Sequence, residues 1–225
     1  MNAIILTGAN RGLGKEIHDL LVRKKSPQMR YYFTSRQPIE NPEECFEYFL
    51  VDFGKADRKA PRIEVNTSSD AVVFINNAGS IDPICMAQEV SLSELEHALR
   101  VNCTGPLTLA QHLVTQTKEI GARLFIFNVS SGAARQPIKG WMAYCVSKAA
   151  ALMALDVLAA ENEHVQIEHF DPGVMDTNMQ KIIRSQSPDV MPDVGRFQGF
   201  KEDQVLQSAK KVSEQVVSLI EEFIK

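Results

Sequence analysis

The chain has 225 residues, 44% of them hydrophobic and 23% charged, with a formal net charge of −4 at pH 7. Such a length and apolar content support one α/β domain with a sizeable core. The acidic balance, with no basic run longer than Arg23-Lys24-Lys25, argues against nucleic-acid binding, and the lack of an uncharged apolar run of about 18 residues argues against a membrane span.

An apolar run ending at Leu6 leads into Thr7-Gly8-Ala9-Asn10-Arg11-Gly12-Leu13-Gly14, and then into an amphipathic stretch with Ile17, Leu20 and Leu21 inward. The order is strand, tight turn, helix. Glycines at 8, 12 and 14 permit positive φ and a close backbone approach to a pyrophosphate, which then sits at the positive end of the helix. Their spacing departs from Gly-x-Gly-x-x-Gly. The first strand begins almost at Met1, leaving no room for a cleavable leader, so an intracellular, cytoplasmic protein is expected.

Tyr31-Tyr32-Phe33-Thr34 and 46–51 read as the second and third strands, being short and aromatic or β-branched. Pro38, Asn41 and Pro42 leave little room for a helix between them, so a short, irregular crossover is expected. Val72-Val73-Phe74-Ile75 and Leu124-Phe125-Ile126-Phe127 are nearly continuous apolar runs, as central strands covered on both faces require. Ser91-Leu92-Ser93-Glu94 has the form of a capping box opening a helix through Leu95 and Leu99, and another helix is expected over 107–118. An Ala-rich helix follows Trp141, and a sixth strand covers 165–170, stopped by Asp171-Pro172-Gly173. Residues 178–204 lack clean periodicity and carry Pro188, Pro192, Gly195 and Gly199, so a mobile lid or loop is expected there. The last helix is marked by Val205, Ala209, Val212, Val216, Leu219, Ile220 and Phe223 at steps of three or four. Regular βα alternation predicts a doubly wound parallel sheet of about six strands in a single domain, with ligands beyond the strand carboxyl ends.

The four cysteines, Cys45, Cys85, Cys103 and Cys145, lack metal-ligand spacing and are expected to be buried free thiols; the histidines are scattered without a metal pattern. The chemistry instead falls on the strand ends. If residues after Trp141 are helical, Tyr144 and Lys148 are i and i+4 on one face. An ammonium beside a phenol favours the phenolate, lowering the tyrosine pKa toward working pH, where it can give or take a proton. The Ser130-Ser131 pair lies shortly upstream, and Asn76-Asn77-Ala78-Gly79 follows the fourth strand.

In combination, Thr7-Gly8-x-x-x-Gly12-x-Gly14, Asn76-Asn77-Ala78-Gly79, Asn102, Ser131, Tyr144-x-x-x-Lys148 and Pro172-Gly173-x-x-x-Thr177 resemble the short-chain dehydrogenase/reductase family over most of the chain. The resemblance implies a hydride-transfer enzyme in which Tyr144 is the acid/base, Lys148 lowers its pKa and holds the nicotinamide ribose, Ser131 orients the substrate carbonyl, and Asn102 positions a water in the proton relay. It places Asn10 and Leu13 in the cofactor loop, Asp52 and Phe53 beside adenine, and Asn76, Ala78 and Gly79 along the adenosine ribose. Pro172, Gly173, Val174 and Thr177 would face the nicotinamide carboxamide and phosphates. Where an NAD-preferring fold carries an acid after the second strand, this chain has Ser35 and Arg36, and Arg11 adds a second guanidinium. Both suit a dianionic 2′-phosphate, so NADPH is the expected cofactor.

Residues 136–145 and 176–180 resemble the sepiapterin reductase branch, which includes bacterial benzil-type diketone reductases. That resemblance implies reduction of a ketone or vicinal dicarbonyl, with Trp141, Met142 and Met179 lining an apolar pocket beside Ser131. Trp141 packing beneath a lid or at a subunit contact is the alternative. Sepiapterin reductases carry a further strand and a C-terminal acid that anchors the pterin; here the sequence ends after the last helix, so the seventh strand is expected to be missing and a less selective carbonyl substrate is favoured. Asp171 departs from the neutral residue more usual before Pro-Gly in the family. Association into a homodimer or homotetramer is expected through the helices near Leu107 and Tyr144. A non-catalytic dinucleotide sensor is the alternative from another class, although it would have no need for Ser131, Asn102, Tyr144 and Lys148 together.

Overall fold

A computed structural model describes residues 1–39, 45–55 and 61–224. Six strands form one sheet, all neighbours parallel, in the order β3-β2-β1-β4-β5-β6. They are β1 (Asn2–Thr7), β2 (Met29–Ser35), β3 (Phe46–Leu50), β4 (Ala71–Asn76), β5 (Arg123–Val129) and β6 (Val165–Phe170). β4 is buried at every position, as its continuous apolar run requires in a sheet covered on both faces.

Side-chain alternation along the strands divides the core in two. One face sends Ile4, Leu6, Val73, Ile75 and Phe127 toward α1 (Gly12–Arg23) and α7 (Ala209–Ile224), where Ile17, Leu21, Val216 and Ile220 complete the packing. The other sends Ile5, Val72, Phe74, Leu124 and Ile126 toward Leu109, Leu113 and Leu155 of α3 (Gly105–Ile120) and α4 (Met142–Ala160). The expected doubly wound architecture is therefore present.

Ser91 caps α2 (Leu92–Leu99) as its motif predicts: its hydroxyl accepts from the Glu94 N–H at 3.3 Å, and the Glu94 carboxylate accepts from the Ser91 N–H at 2.9 Å. Between α2 and α3 the backbone widens into a π-helical turn, Arg100–Thr104, which carries Asn102 inward. α4 is long and apolar enough to cross a membrane by composition, but Ala151 and Leu155 are buried and Leu155 packs on the sheet, as in a core helix.

Residues 178–204 are not one loop. They hold α5 (Asn178–Arg184) and α6 (Val194–Glu202), separate from the main core and packed by Ile183, Met191, Val194 and Phe197 against Ile81, Trp141 and Tyr144. Their short apolar stripes serve a small local cluster, so they lack the long period that marks α1 and α7. Asp176 ties them, accepting from Lys201 Nζ at 2.7 Å and from Arg184 Nη2 at 3.4 Å. The short crossover read from Pro38, Asn41 and Pro42 falls partly on residues 40–44, outside the described residues. All four cysteines are free, but only Cys103 is buried; the others are half-buried.

Candidate active site

The strand order reverses between β1 and β4, and a cleft of about 560 Å³ opens across their carboxyl ends. The glycine loop forms its floor. Gly8 has φ +71° and Gly12 φ +54°, and a Cβ on Gly14 would stand 2.1 Å from Gly8 O and 2.4 Å from Asn77 Nδ2. Gly8 and Gly12 thus let the chain turn, whereas Gly14 lets α1 start hard against the loop. Asn77 locks the arrangement, with Nδ2 donating to Thr7 O at 2.9 Å; the Thr7 hydroxyl accepts from the N–H groups of Asn77 and Ala78, each at 2.9 Å. α1 has no side-chain cap and no acid in its first turn. Its first N–H groups are thereby left for an external anion.

Arg11 and Arg36 line the glycine-loop end of the cleft with Ser35. Burial first, and then the Arg36 guanidinium, hold the Arg11 pKa below its ordinary value, while Asp82 pulls the other way. A guanidinium held down in part by a neighbouring like charge marks a place where an anion relieves repulsion. Further along, the Asp52 carboxylate accepts from the Gly54 N–H at 3.0 Å, and His97 of α2 packs so closely on Gly54 that a Cβ there would be 2.5 Å from its ring. Phe53, Val101 and His97 border the same end. The uncapped helix, the close-packed glycines and the paired guanidiniums fit a dinucleotide bearing phosphates.

At the opposite end, Ser131, Tyr144 and Lys148 converge. Tyr144 and Lys148 are both buried, and the Lys148 ammonium lies 5.9 Å from the Tyr144 ring centre, so α4 presents them on one face as the spacing predicts. Lys148 Nζ donates to Val129 O at 2.9 Å. Its electrostatic effect on the phenol differs from expectation: burial pushes the Tyr144 pKa up to about 12, opposed by the Ser131 hydroxyl and assisted by the Asp171 charge. Burial likewise pushes Lys148 down to about 8, opposed by Asp171. At this depth desolvation of the charged form is the largest influence on each of them.

The Asn102 side chain is fully occupied: Nδ2 donates to Ser80 O and to Ser147 Oγ, both at 2.9 Å, and Oδ1 accepts from the Ser80 N–H at 2.8 Å. It pins the segment after β4 to α4 from behind the cleft wall. Ser131 also caps the short turn that follows it, accepting from the Ala133 N–H at 3.2 Å.

Most of the residues singled out from the sequence line this cleft: Gly8, Asn10, Arg11, Gly12, Leu13, Ser35, Arg36, Asp52, Phe53, Ala78, Gly79, Ser131, Trp141, Tyr144, Lys148, Pro172, Gly173, Val174, Thr177 and Met179. Four are absent from its lining: Asn102, whose amide is engaged by Ser80 and Ser147 where the resemblance implied a relay water, and Asn76, Gly14 and Met142. Asn76 is buried in the sheet, donating to Asn128 Oδ1 at 2.9 Å, and its place at the wall is taken by Asn77. Gly14 packs against Gly8 and Asn77 beneath the loop, and Met142 does not line the cleft while its neighbour Trp141 does. Trp141 meets both readings made of it: it lines the cleft and packs on Phe197, 5.0 Å between ring centres, and edge-on to Tyr144 at 5.8 Å. The sequence reading missed His97, Asp82, Phe197 and Phe200, which reach the cleft from a helix face, a loop and α6. For Phe197 and Phe200 the available signal was an aromatic pair at i, i+3 in a stretch read as loop.

A family model described as short chain dehydrogenase matches residues 2–188. The chain belongs to the short-chain dehydrogenase/reductase family. Among curated relatives it is 32% identical to benzil reductase ((S)-benzoin forming) of Bacillus subtilis (strain 168), over 98% of this chain and 94% of that protein. It is 31% identical to the sepiapterin reductase of Xenopus tropicalis, over 86% of this chain and 80% of that protein. A solved short chain dehydrogenase/reductase of Saccharomyces cerevisiae superposes with TM-score 0.75 at 25% identity, covering 93% of this chain and 86% of its own. A short chain dehydrogenase of Burkholderia cenocepacia J2315, solved with NADP, shares the fold with TM-score 0.74 at 21% identity, over 98% and 84%. This short-chain dehydrogenase/reductase is thus an oxidoreductase of a family that binds nicotinamide dinucleotides.

Proposed function

We propose that the chain is an NADPH-dependent carbonyl reductase that acts on a ketone or vicinal dicarbonyl, with Tyr144 as general acid. The observation that carries this reading is the meeting of Ser131, Tyr144 and Lys148 at one end of a cleft whose other end is built for a phosphate-bearing dinucleotide. A bound reduced nicotinamide supplies the hydride. Tyr144 gives its phenolic proton to the carbonyl oxygen as negative charge grows there, and Ser131 donates a hydrogen bond to that oxygen, stronger then than in the ground state. A pKa pushed up to about 12 keeps Tyr144 in its acid form throughout the neutral range. Lys148, charged below about 8, binds the ribose hydroxyls and stabilises the phenolate left after proton transfer. Asn102, its amide committed to Ser80 and Ser147, acts as a positioning residue.

Arg11 and Arg36 support NADPH over NADH, because only the 2′-phosphate places two negative charges between their guanidiniums. Trp141, Met179, Phe197 and Ile183 give the reacting end an apolar wall, which suits aryl or alkyl flanks on the carbonyl. The similarity to a benzil reductase supports the dicarbonyl class. Exposed Val146, Met153 and Val157 on α4 support pairing of copies through that helix, which size-exclusion chromatography with light scattering tests.

The direct test follows NADPH absorbance with benzil, 1-phenyl-1,2-propanedione and simple ketones. Turnover of at least one is expected; tight NADPH binding with no carbonyl reduced would replace this reading by the sensor.

A further inference from the structure

Asp171, Asp193 and Arg196 are charged side chains that line the cleft and have no part in the proposed chemistry, and of these Asp171 is the one drawn beside the serine pair. It follows β6 directly, is exposed to the cleft, and its backbone neighbour Phe170 accepts from the Ser130 N–H at 2.8 Å, which draws it beside the serine pair. One carboxylate oxygen, Oδ1, accepts from the Gly173 N–H at 2.9 Å, so the carboxylate is held in a fixed orientation. The other, Oδ2, lies 3.5 Å from where a Cβ on Gly132 would stand, immediately after Ser131. Among the described residues no lysine or arginine forms an ion pair with it. Oδ2 has no hydrogen-bond partner among the described residues, the Lys148 ammonium acting on Asp171 only through space, so its acceptor capacity is open in a residue that lines the cleft.

A fixed carboxylate there opposes the proposed chemistry with a neutral substrate. Negative charge grows on the carbonyl oxygen between Ser131 and Tyr144, and like charges repel. The reach of the Asp171 charge is visible in its raising of both the Tyr144 and the Lys148 pKa. A substrate bearing a cationic nitrogen next to the carbonyl reverses the sign, since that group pairs with Oδ2 and offsets the growing oxyanion.

We propose that Asp171 is a specificity-determining residue that selects carbonyl substrates carrying an ammonium on the carbon next to the reacting carbonyl, with Asp171 Oδ2 as its partner. This rests on the carbonyl-reductase reading and deepens it by naming a substrate class.

An isosteric pair isolates the effect: 2-aminoacetophenone as its ammonium, and propiophenone, in which a methyl replaces the ammonium. Their kcat/KM ratio with NADPH is measured on the acid side of neutrality for the wild type, Asp171→Asn and Gly132→Ala. Any influence of Asp171 on Tyr144 or Lys148 is common to both ketones and cancels in the ratio. Asparagine retains an acceptor for the Gly173 N–H, so the turn survives. The wild type is expected to favour the ammonium substrate by about tenfold or more, as one charge-assisted hydrogen bond warrants. Asp171→Asn is expected to erase that preference, lowering the ammonium substrate and raising propiophenone. Gly132→Ala, whose methyl would rest in van der Waals contact with Oδ2 and cover one side of it, is expected to reduce it severalfold and serves if the asparagine variant does not fold. A wild-type ratio near one, or a ratio that neither substitution moves, overturns the proposal while leaving reduction of 1-phenyl-1,2-propanedione standing. No turnover of any of the three carbonyls by the wild type removes both.

Discussion

The two ends of the cleft are built from different materials. The glycine-loop end is framed by main chain, a glycine loop, an uncapped helix start and the segment after β4, held together by Asn77 and Thr7, with Arg11 and Arg36 at its mouth. The reacting end consists of side chains from distant segments, Trp141 and Tyr144 of the β5–α4 region against Ile183, Met191 and Phe197 of the α5–α6 region. Main-chain sites tolerate few substitutions, because a turn with positive φ or a close backbone contact has one cheap solution. Side-chain sites can be repacked. The first end is thus specified residue by residue, and the second only by size and polarity.

That contrast can be broken by substitution. The largest effect is expected for Tyr144→Phe, which removes the proton donor and keeps the ring: turnover should fall by roughly 10³-fold, within the usual range for general acid catalysis, with NADPH affinity within a few-fold of wild type. Fluorescence titration beside steady-state kinetics decides this, and a variant retaining a tenth of wild-type kcat would remove Tyr144 from the chemistry. Gly14→Ala should follow. Its methyl has no room against Gly8 O, so about 3 kcal/mol of stability and most NADPH binding should be lost, read from thermal melts with and without cofactor. An alanine variant of ordinary stability would mean that the loop is softer than described.

Arg11→Ala combined with Arg36→Ala should weaken NADPH by about 3 kcal/mol, or a hundredfold, and leave NADH nearly unchanged. Equal losses for both cofactors would show that the guanidiniums meet some other group. Phe197→Leu, in the side-chain end, should change KM for a dicarbonyl severalfold without moving the Kd of NADPH, because Phe197 packs with Trp141 and Tyr144 at that end. The smallest effect is in pH. Burial lowers Lys148 to about 8, so its ammonium is present below that pH and is lost above it. NADPH affinity of the free protein should therefore decline as pH rises through about 8, by less than tenfold since Arg11 and Arg36 remain charged. A flat profile across that range would show that Lys148 contributes little to binding.

The sheet and the dinucleotide end were legible in the sequence. Unbroken apolar runs marked β4 and β5, glycines marked the turn, and the i, i+4 step placed Tyr144 and Lys148 together. These are local consequences of backbone geometry and periodicity, which a sequence carries directly. Tertiary structure decided the rest. Whether Asn76 or Asn77 faces the cleft depends on how β4 pairs with β5, which turns Asn76 onto Asn128. The acidities of Tyr144 and Lys148 depend on depth, which no spacing encodes, and burial overrode the attraction that their spacing suggested. α5 and α6 escaped recognition because their apolar residues serve a small side cluster and not the sheet. The sequence by itself determined that a glycine loop follows the first strand and that a tyrosine and a lysine share one helix face; only the fold decided that they meet in one cleft and what surrounds them there, because burial and neighbouring charge are set by residues far away along the chain.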